Sequence, residues 1–305
     1  MMKATKRTDI QKQPVQMKQK NQSGDLAEFC APGCTWYEQM VPGSDNISLR
    51  VVTFRPPAGH HRYPVVMVPG LVSVMLTFKK VLIELTKTFI VHYVETREKS
   101  SSDVPESAGL NIDTIGQDIV QIISYFNLKE GRYILFGGSM GATAIINSYQ
   151  YLTQRPFCLV LLEPNAIFDY PKWSLFIIRI SAPLYPMIKP FAKWYLKNFR
   201  VNTEEDYEMY NITSRALDSA NPYKLKNTVM AISKYQIWNR LRSVQSPALI
   251  VCASKDTFHR HDDIMKIKKK IKNSTYCDLE VHERTHSPEF VHVVNNYIRQ
   301  LENPE

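Results

Sequence analysis

Gly137-Gly138-Ser139-Met140-Gly141 sets a serine between two glycines at a spacing suited to nucleophilic chemistry. A serine hydroxyl attacks a carbonyl only when a base reaches it and the neighbouring backbone leaves room for the substrate. A sharp turn that lifts Ser139 clear of the chain meets both needs. It also forces the serine into strained φ/ψ and crowds the positions two before and two after it. Gly137 and Gly141 fill those positions, in a chain with 11 glycines among 305 residues. The apolar run 133–136 before the turn reads as a buried strand, and 142–151 after it as a helix. Strand, turn of small residues and helix is the setting in which G-x-S-x-G carries a nucleophile. A glycine-bearing turn with an incidental serine is the competing reading.

The elements that must position this serine follow from periodicity. Strands are expected at 35–41, 48–55, 63–68, 89–94, before the serine, and at 157–162, 248–253 and 275–282. Segment 48–55 alternates polar with apolar, as in a half-exposed edge strand, whereas 63–68 is nearly all apolar, as in a strand covered on both faces. Helices are expected near 74–87, 113–126, 142–151, 262–271 and 287–301. In the second of these Ile115, Ile119, Ile122 and Ile123 share one face, and Asn111 or Asp113 stands near the cap. Strands alternating with helices imply an α/β fold, a mostly parallel sheet with helices on both faces. Residues 165–245 break the alternation: they are rich in aromatics, Met and Pro at helical spacing, with no clear strand. They read as a helical cap inserted after the sixth strand, dividing a core of 35–164 and 246–305.

Bulk properties narrow the classes. Hydrophobic residues make up 44% and charged residues 22% of the chain, as in an ordinary globular protein. No apolar run is long enough to span a membrane, and no secretory signal is visible. The five cysteines are scattered as Cys30, Cys34, Cys158, Cys252 and Cys277. Cys30 and Cys34 have no second pair or nearby His that would make a zinc site. Cys158 and Cys252 sit in apolar strand-like runs as small hydrophobes. A reducing cytoplasm is expected. The net charge of +9 is uneven. Six Lys/Arg against one Asp in 1–24, without apolar periodicity, give a basic tail, placed at 1–34 and expected to be disordered. A second excess in 169–200 sets Lys172, Arg179, Lys189, Lys193, Lys197 and Arg200 against Asp169. No nucleic-acid-binding signature accompanies either patch.

Taken together, the motifs from Trp36 to Leu301 resemble the α/β-hydrolase superfamily. In that family the triad runs in the order Ser, acid, His, with the acid after a late strand and the His after the last. The resemblance implies Ser139 as nucleophile, Asp256 as acid and His286 as base. Asp256 lies in Ala253-Ser254-Lys255-Asp256-Thr257-Phe258, and His286 in Arg284-Thr285-His286-Ser287-Pro288. Glu163, ending the sixth strand, stands where some members carry the acid and is the rival to Asp256. Among the other histidines, His282 is expected on the last strand, and His259 and His261 on the loop beyond the acid. The oxyanion hole implied by Val68-Pro69-Gly70-Leu71 is made by the backbone N–H groups of Leu71 and Met140, with Gly70 letting the loop come close. Proline replaces the family's frequent histidine without touching those donors. Glu95-Thr96-Arg97-Glu98-Lys99-Ser100 departs further, keeping an Arg but lacking the glycines of the family's turn.

The cap composition points to the substrate. Trp173, Phe176 and Trp194 are candidates for an apolar acyl pocket, although packing onto the core would use many such residues. The interleaved cations suggest an anionic headgroup, a carboxylate or peripheral membrane contact. The leading reading is a serine hydrolase of carboxylic esters, lipid-like or small, with no metal or organic cofactor. An acyltransferase is the alternative, since the Gly-Gly-Ser-Met-Gly run is also similar to homoserine O-acetyltransferases. A non-catalytic binding protein on the same fold is the third.

Overall fold

The computed structural model describes residues 26–57, 63–170, 172–195, 197–198, 207–255 and 260–304. Eight strands form one sheet: β1 (Thr35–Pro42), β2 (Ser48–Arg55), β3 (Val65–Val68), β4 (Val91–Val94), β5 (Ile134–Gly138), β6 (Cys158–Leu162), β7 (Ala248–Cys252) and β8 (Ser274–Asp278). Their order across the sheet is β1-β2-β4-β3-β5-β6-β7-β8. β1 pairs antiparallel with β2, and β2 with β4; every later pairing is parallel.

The helices are α1 (Lys79–Leu85), α2 (Ile112–Tyr125), α3 (Met140–Ser148), α4 (Lys172–Ser181), α5 (Tyr185–Tyr195), α6 (Tyr207–Ser219), α7 (Pro222–Ile232), α8 (His261–Lys270), α9 (His282–Thr285) and α10 (Pro288–Glu302). Strands β3, β5, β6 and β7 are buried along their whole length, as their unbroken apolar runs require of a sheet covered on both faces. Their alternate side chains divide between two cores. Val66, Val68, Leu135 and Leu161 pack with the isoleucines of α2 and with α3. Val65, Met67, Phe136 and Leu162 pack with α1 and with Phe290 and Val294 of α10.

Two boundaries differ from expectation. The folded chain starts before residue 35: a 3-10 turn at Leu26–Phe29 buries Leu26 and Phe29 in the second core. Residues 1–25 of the expected tail lie outside the described residues. The last strand stops at Asp278, whose carboxylate accepts the N–H of Glu280 at 2.8 Å, while Glu280 adopts φ 64°. That turn ends the extended backbone and delivers His282 to α9 instead of to the sheet.

Candidate active site

The carboxyl ends of β3, β5 and β6 converge on Ser139. This residue caps α3 with φ 49° and ψ −113°, a conformation that costs a non-glycine residue about 1–3 kcal/mol. The two flanking glycines are required, and the backbone of one does crowd the other. A Cβ on Gly137 would stand 2.5 Å from the Ala142 nitrogen and 2.7 Å from the Gly141 carbonyl carbon, inside the first turn of α3. A Cβ on Gly141 would stand 2.1 Å from the carbonyl oxygen of Val68, so this glycine lets α3 close onto the end of β3.

The loop after β3 sits against the serine. A Cβ on Gly70 would lie 3.3 Å from that of Ser139. The Gly70 carbonyl accepts from the Ser73 N–H at 3.2 Å and from Lys99 Nζ at 3.3 Å. Every described peptide is trans, so the N–H of Leu71 points away from that carbonyl. Val72 next in sequence holds φ 62°, a genuine outlier for a β-branched residue. Met140 opens α3, so its N–H is one of the helix's unpaired N-terminal donors, where the helix dipole favours negative charge.

Asn165 was not anticipated from the sequence. Its Nδ2 donates to Ser139 Oγ at 2.9 Å. Thr143 holds it there from α3: the Asn165 N–H donates to Thr143 Oγ1 at 3.0 Å, and Thr143 Oγ1 lies 2.9 Å from the Asn165 carbonyl. The amide occupies a lone pair of the serine oxygen and leaves the hydroxyl proton for a base. Nothing in the local pattern marks Asn165, since its partners lie 22 and 26 residues away.

His286 follows α9. Its Nδ1 lies 3.0 Å from Thr285 Oγ1 and 3.3 Å from the His282 carbonyl. Thr285 spends its own proton on that carbonyl at 2.7 Å. A proton on Nδ1 would satisfy both of these acceptors and leave Nε2 as the basic nitrogen. The His282 ring lies tilted by 33° against that of His286, with centroids 4.2 Å apart. Phe78 links this histidine to the elbow: its ring centroid is 5.0 Å from that of His286, and its Cζ would stand 3.0 Å from a Cβ on Gly138.

Asp256, the expected acid, and His259 lie outside the described residues. Glu163, its rival, is buried at φ 49° with Oε1 accepting the Ala253 N–H at 3.3 Å, which ties the ends of β6 and β7 together. His261 begins α8, where its Nδ1 is 3.8 Å from Cys252 Sγ.

The loop 95–102, where the family's glycines are missing, is held by side chains instead. Arg97 is fully buried and bonds Asp118 Oδ1 at 2.8 Å and the Gly109 carbonyl at 2.7 Å. Glu98 and Lys99 pair at 3.0 Å. The helical insertion grips the same loop: Lys224 of α7 donates to the carbonyls of Lys99 and Ser102 at 3.3 and 3.1 Å, and Ser100 Oγ to that of Ser219 at 2.9 Å. Burial lowers the Lys224 ammonium pKa, against the opposing charges of Asp103, Glu98 and Glu106.

The three aromatics expected to line an acyl pocket do not wall an enclosed cavity. Trp173, Phe176 and Trp194 are 69, 66 and 52% exposed, because α4 and α5 pack on α7 and α6 through other faces. A cavity of about 160 Å³ does adjoin Asn165, walled by residues 164–170 with Arg260 and Asp263.

No family model and no curated protein matches the chain in sequence. Solved structures do match in fold. The enol-lactonase from Burkholderia xenovorans LB400 aligns with a TM-score of 0.72 at 13% identity, over 87% of this chain and 100% of that one. The malate-bound thermophilic esterase from Thermogutta terrifontis gives 0.67 at 15%, over 88 and 100%. The bromoperoxidase from Bacillus anthracis gives 0.68 at 17%, over 86 and 99%. The chain has the α/β-hydrolase fold.

Proposed function

We propose that this chain is a serine hydrolase that cleaves carboxylic esters through an acyl-enzyme. One observation carries the reading: Ser139 is held in a strained conformation at the tip of β5, with its oxygen bonded by Asn165 and the Gly70 loop packed beside it. Strain of this kind persists where the surrounding structure over-determines it, and here β3, α3 and residue 165 all contribute. The esterases among the structural neighbours support the same class.

In the proposed mechanism Ser139 Oγ attacks the ester carbonyl and its proton passes to Nε2 of His286. The tetrahedral oxyanion is held by the N–H groups of Leu71 and Met140. His286 then returns the proton to the departing alkoxide, leaving Ser139 acylated, and water repeats the sequence to release the acid. Asp256 stabilises the imidazolium, supported by its place after β7. The reading needs no cofactor. A reducing cytoplasm is part of the proposal, supported by five scattered cysteines; burial raises the Cys252 pKa to about 11. No described helix is long and apolar enough to cross a membrane.

The test is a series of p-nitrophenyl esters of graded acyl length, run with and without acceptor alcohols, together with labelling by a fluorophosphonate. Hydrolysis without acceptor and labelling that is lost in Ser139→Ala are expected. Turnover only when an alcohol is present would convert the reading to acyl transfer. Absence of both labelling and turnover would leave a binding protein on a hydrolase fold.

A further inference from the structure

Helices α4 and α5, joined by a 3-10 turn at Ala182–Leu184, form one continuous helical stretch from Lys172 to Tyr195. Eight of the eleven large apolar side chains left exposed among the described residues fall within it. Trp173, Phe176, Ile180, Met187, Phe191 and Trp194 recur at intervals of three, four and seven residues, the spacing of a single helical face. An amphipathic helix ordinarily turns such a face to the core. Here α4 packs on α7 and α5 on α6 through other residues, and Met187 and Trp173 remain 77 and 69% exposed.

The charge beside the stripe selects its occupant. No Asp or Glu occurs between 170 and 203, while Lys172, Arg179, Lys189, Lys193, Lys197 and Arg200 do. Lys189 and Lys193 are paired with Asp218 at 3.3 and 2.6 Å; Lys172, Arg179 and Lys197 stand exposed. A second copy using the same face would bring these cations against themselves. The chain's own residues 1–24, with six Lys/Arg against one Asp, carry the same sign. An anionic lipid surface satisfies both features: acyl chains take the apolar stripe and headgroups pair with the flanking cations. Tryptophans at both ends of the stripe suit the headgroup boundary, where their amphipathic rings are enriched.

We propose that the outward face of α4–α5 docks this protein on anionic membranes, lying in the interface without crossing it. Its test uses no substrate, so it stands or falls independently of the ester reading.

The experiment is co-sedimentation of the full chain with vesicles of phosphatidylcholine alone and of phosphatidylcholine mixed with phosphatidylserine. In parallel, tryptophan emission is measured against brominated phosphatidylcholine in the mixed vesicles. Binding to the mixed vesicles, weakened by salt, and quenching by the brominated lipid are expected. Trp173→Ser/Phe176→Ser and Phe191→Ser/Trp194→Ser should each reduce binding by about tenfold or more, since each pair removes two large apolar contacts. Trp173→Phe/Trp194→Phe should remain bound but lose most of the quenching, a readout that does not depend on the polar variants folding. Binding retained in both polar pairs would assign the affinity to the basic tail and overturn the proposal. So would absence of binding to either vesicle. A lipid-free dimer that these variants turn into a monomer would assign the face to a second copy.

Discussion

The sheet and the helical insertion between β6 and β7 are built from the same residue types and use them in opposite ways. In the sheet every large apolar side chain of β3 to β7 is buried and divides between two cores. In α4 and α5 the apolar face is turned outward. Three of the seven described non-glycine residues with positive φ, Ser139, Glu163 and Val72, lie at strand ends or in the loop after β3, around one point of the sheet. The core thus fixes chemistry by over-determination. The insertion supplies a surface, joined to the core through the loop 95–102.

If all the chemistry belongs to the core, the largest losses should come from core residues outside the insertion. Asp256→Asn should lower kcat by roughly 10⁴-fold with the fold intact, as in the serine proteases, whereas Glu163→Gln should keep most activity. Steady-state kinetics on the two variants decide the acid, and collapse in the Glu163 variant alone would reverse the assignment. Gly141→Ala tests over-determination as stability. Its methyl would meet the Val68 carbonyl at 2.1 Å, with backbone on both sides and no side chain to move aside. The expected destabilisation exceeds about 3 kcal/mol, at the severe end for a point change, and is read by denaturant midpoint. A variant of near-normal stability would show that α3 and β3 can part cheaply.

The strand, turn and helix around Ser139, its glycines and the alternation of strands with helices were legible in the sequence because each is a local signal: a spacing or an apolar run. Asn165 was illegible because its contacts are with Thr143 and Ser139, 22 and 26 residues away in the sequence. His282 was misplaced because 275–282 alternates like a strand, and only the Asp278 carboxylate and the positive φ of Glu280 end it. The exposed aromatics of α4–α5 were read as pocket because periodicity reports that a helix has an apolar face and is silent on what that face meets.

Lys99 is one place where the two regions touch, and its effect should be intermediate. Its main chain is held by Lys224 and bridged to Ala220 of the insertion, while its ammonium holds the Gly70 carbonyl. Fixing that carbonyl fixes the Leu71 N–H on the opposite side of the same peptide. Lys99→Met should therefore lower kcat by about tenfold, less than deletion of an oxyanion donor, with KM little changed. Affinity for a trifluoromethyl ketone, which forms the tetrahedral adduct, should fall in parallel. A rise in KM alone would make Lys99 a substrate contact instead of a positioning residue.

A smaller effect is expected at His92, inside the sheet. Burial, reinforced by the Arg55 charge, lowers its pKa from 6.5 to about 3. The ring is bonded to Thr53 at 2.9 Å and stacked on Phe126 at 3.8 Å. Between those two values the unfolded chain binds a proton that the folded one refuses. Stability from this residue is thus complete above 6.5 and declines as pH falls toward about 3. The melting temperature of His92→Gln should depend less steeply on pH below 6.5 than that of the natural chain; an unchanged slope would move the acid sensitivity to other groups.

The smallest effect sharpens the contrast most. Removing a buried aromatic from this core, such as Phe78 between Phe136 and His286, should cost about 3–5 kcal/mol, because transfer and cavity terms add. Trp173 and Phe176 are already two-thirds in water, so little apolar area returns to solvent when they are shortened. Trp173→Ser and Phe176→Ser should each stay within about 0.5 kcal/mol of the natural chain in lipid-free buffer, although each also deletes an aromatic ring. Denaturant melts of the three single variants, at two protein concentrations, make the measurement. A loss of several kcal/mol at Trp173 or Phe176 that is independent of concentration would mean that the stripe is packed within the chain in solution. A loss that grows on dilution would mean that another copy covers it. Stability unchanged at both concentrations is the result that leaves the face open to a surface outside the protein.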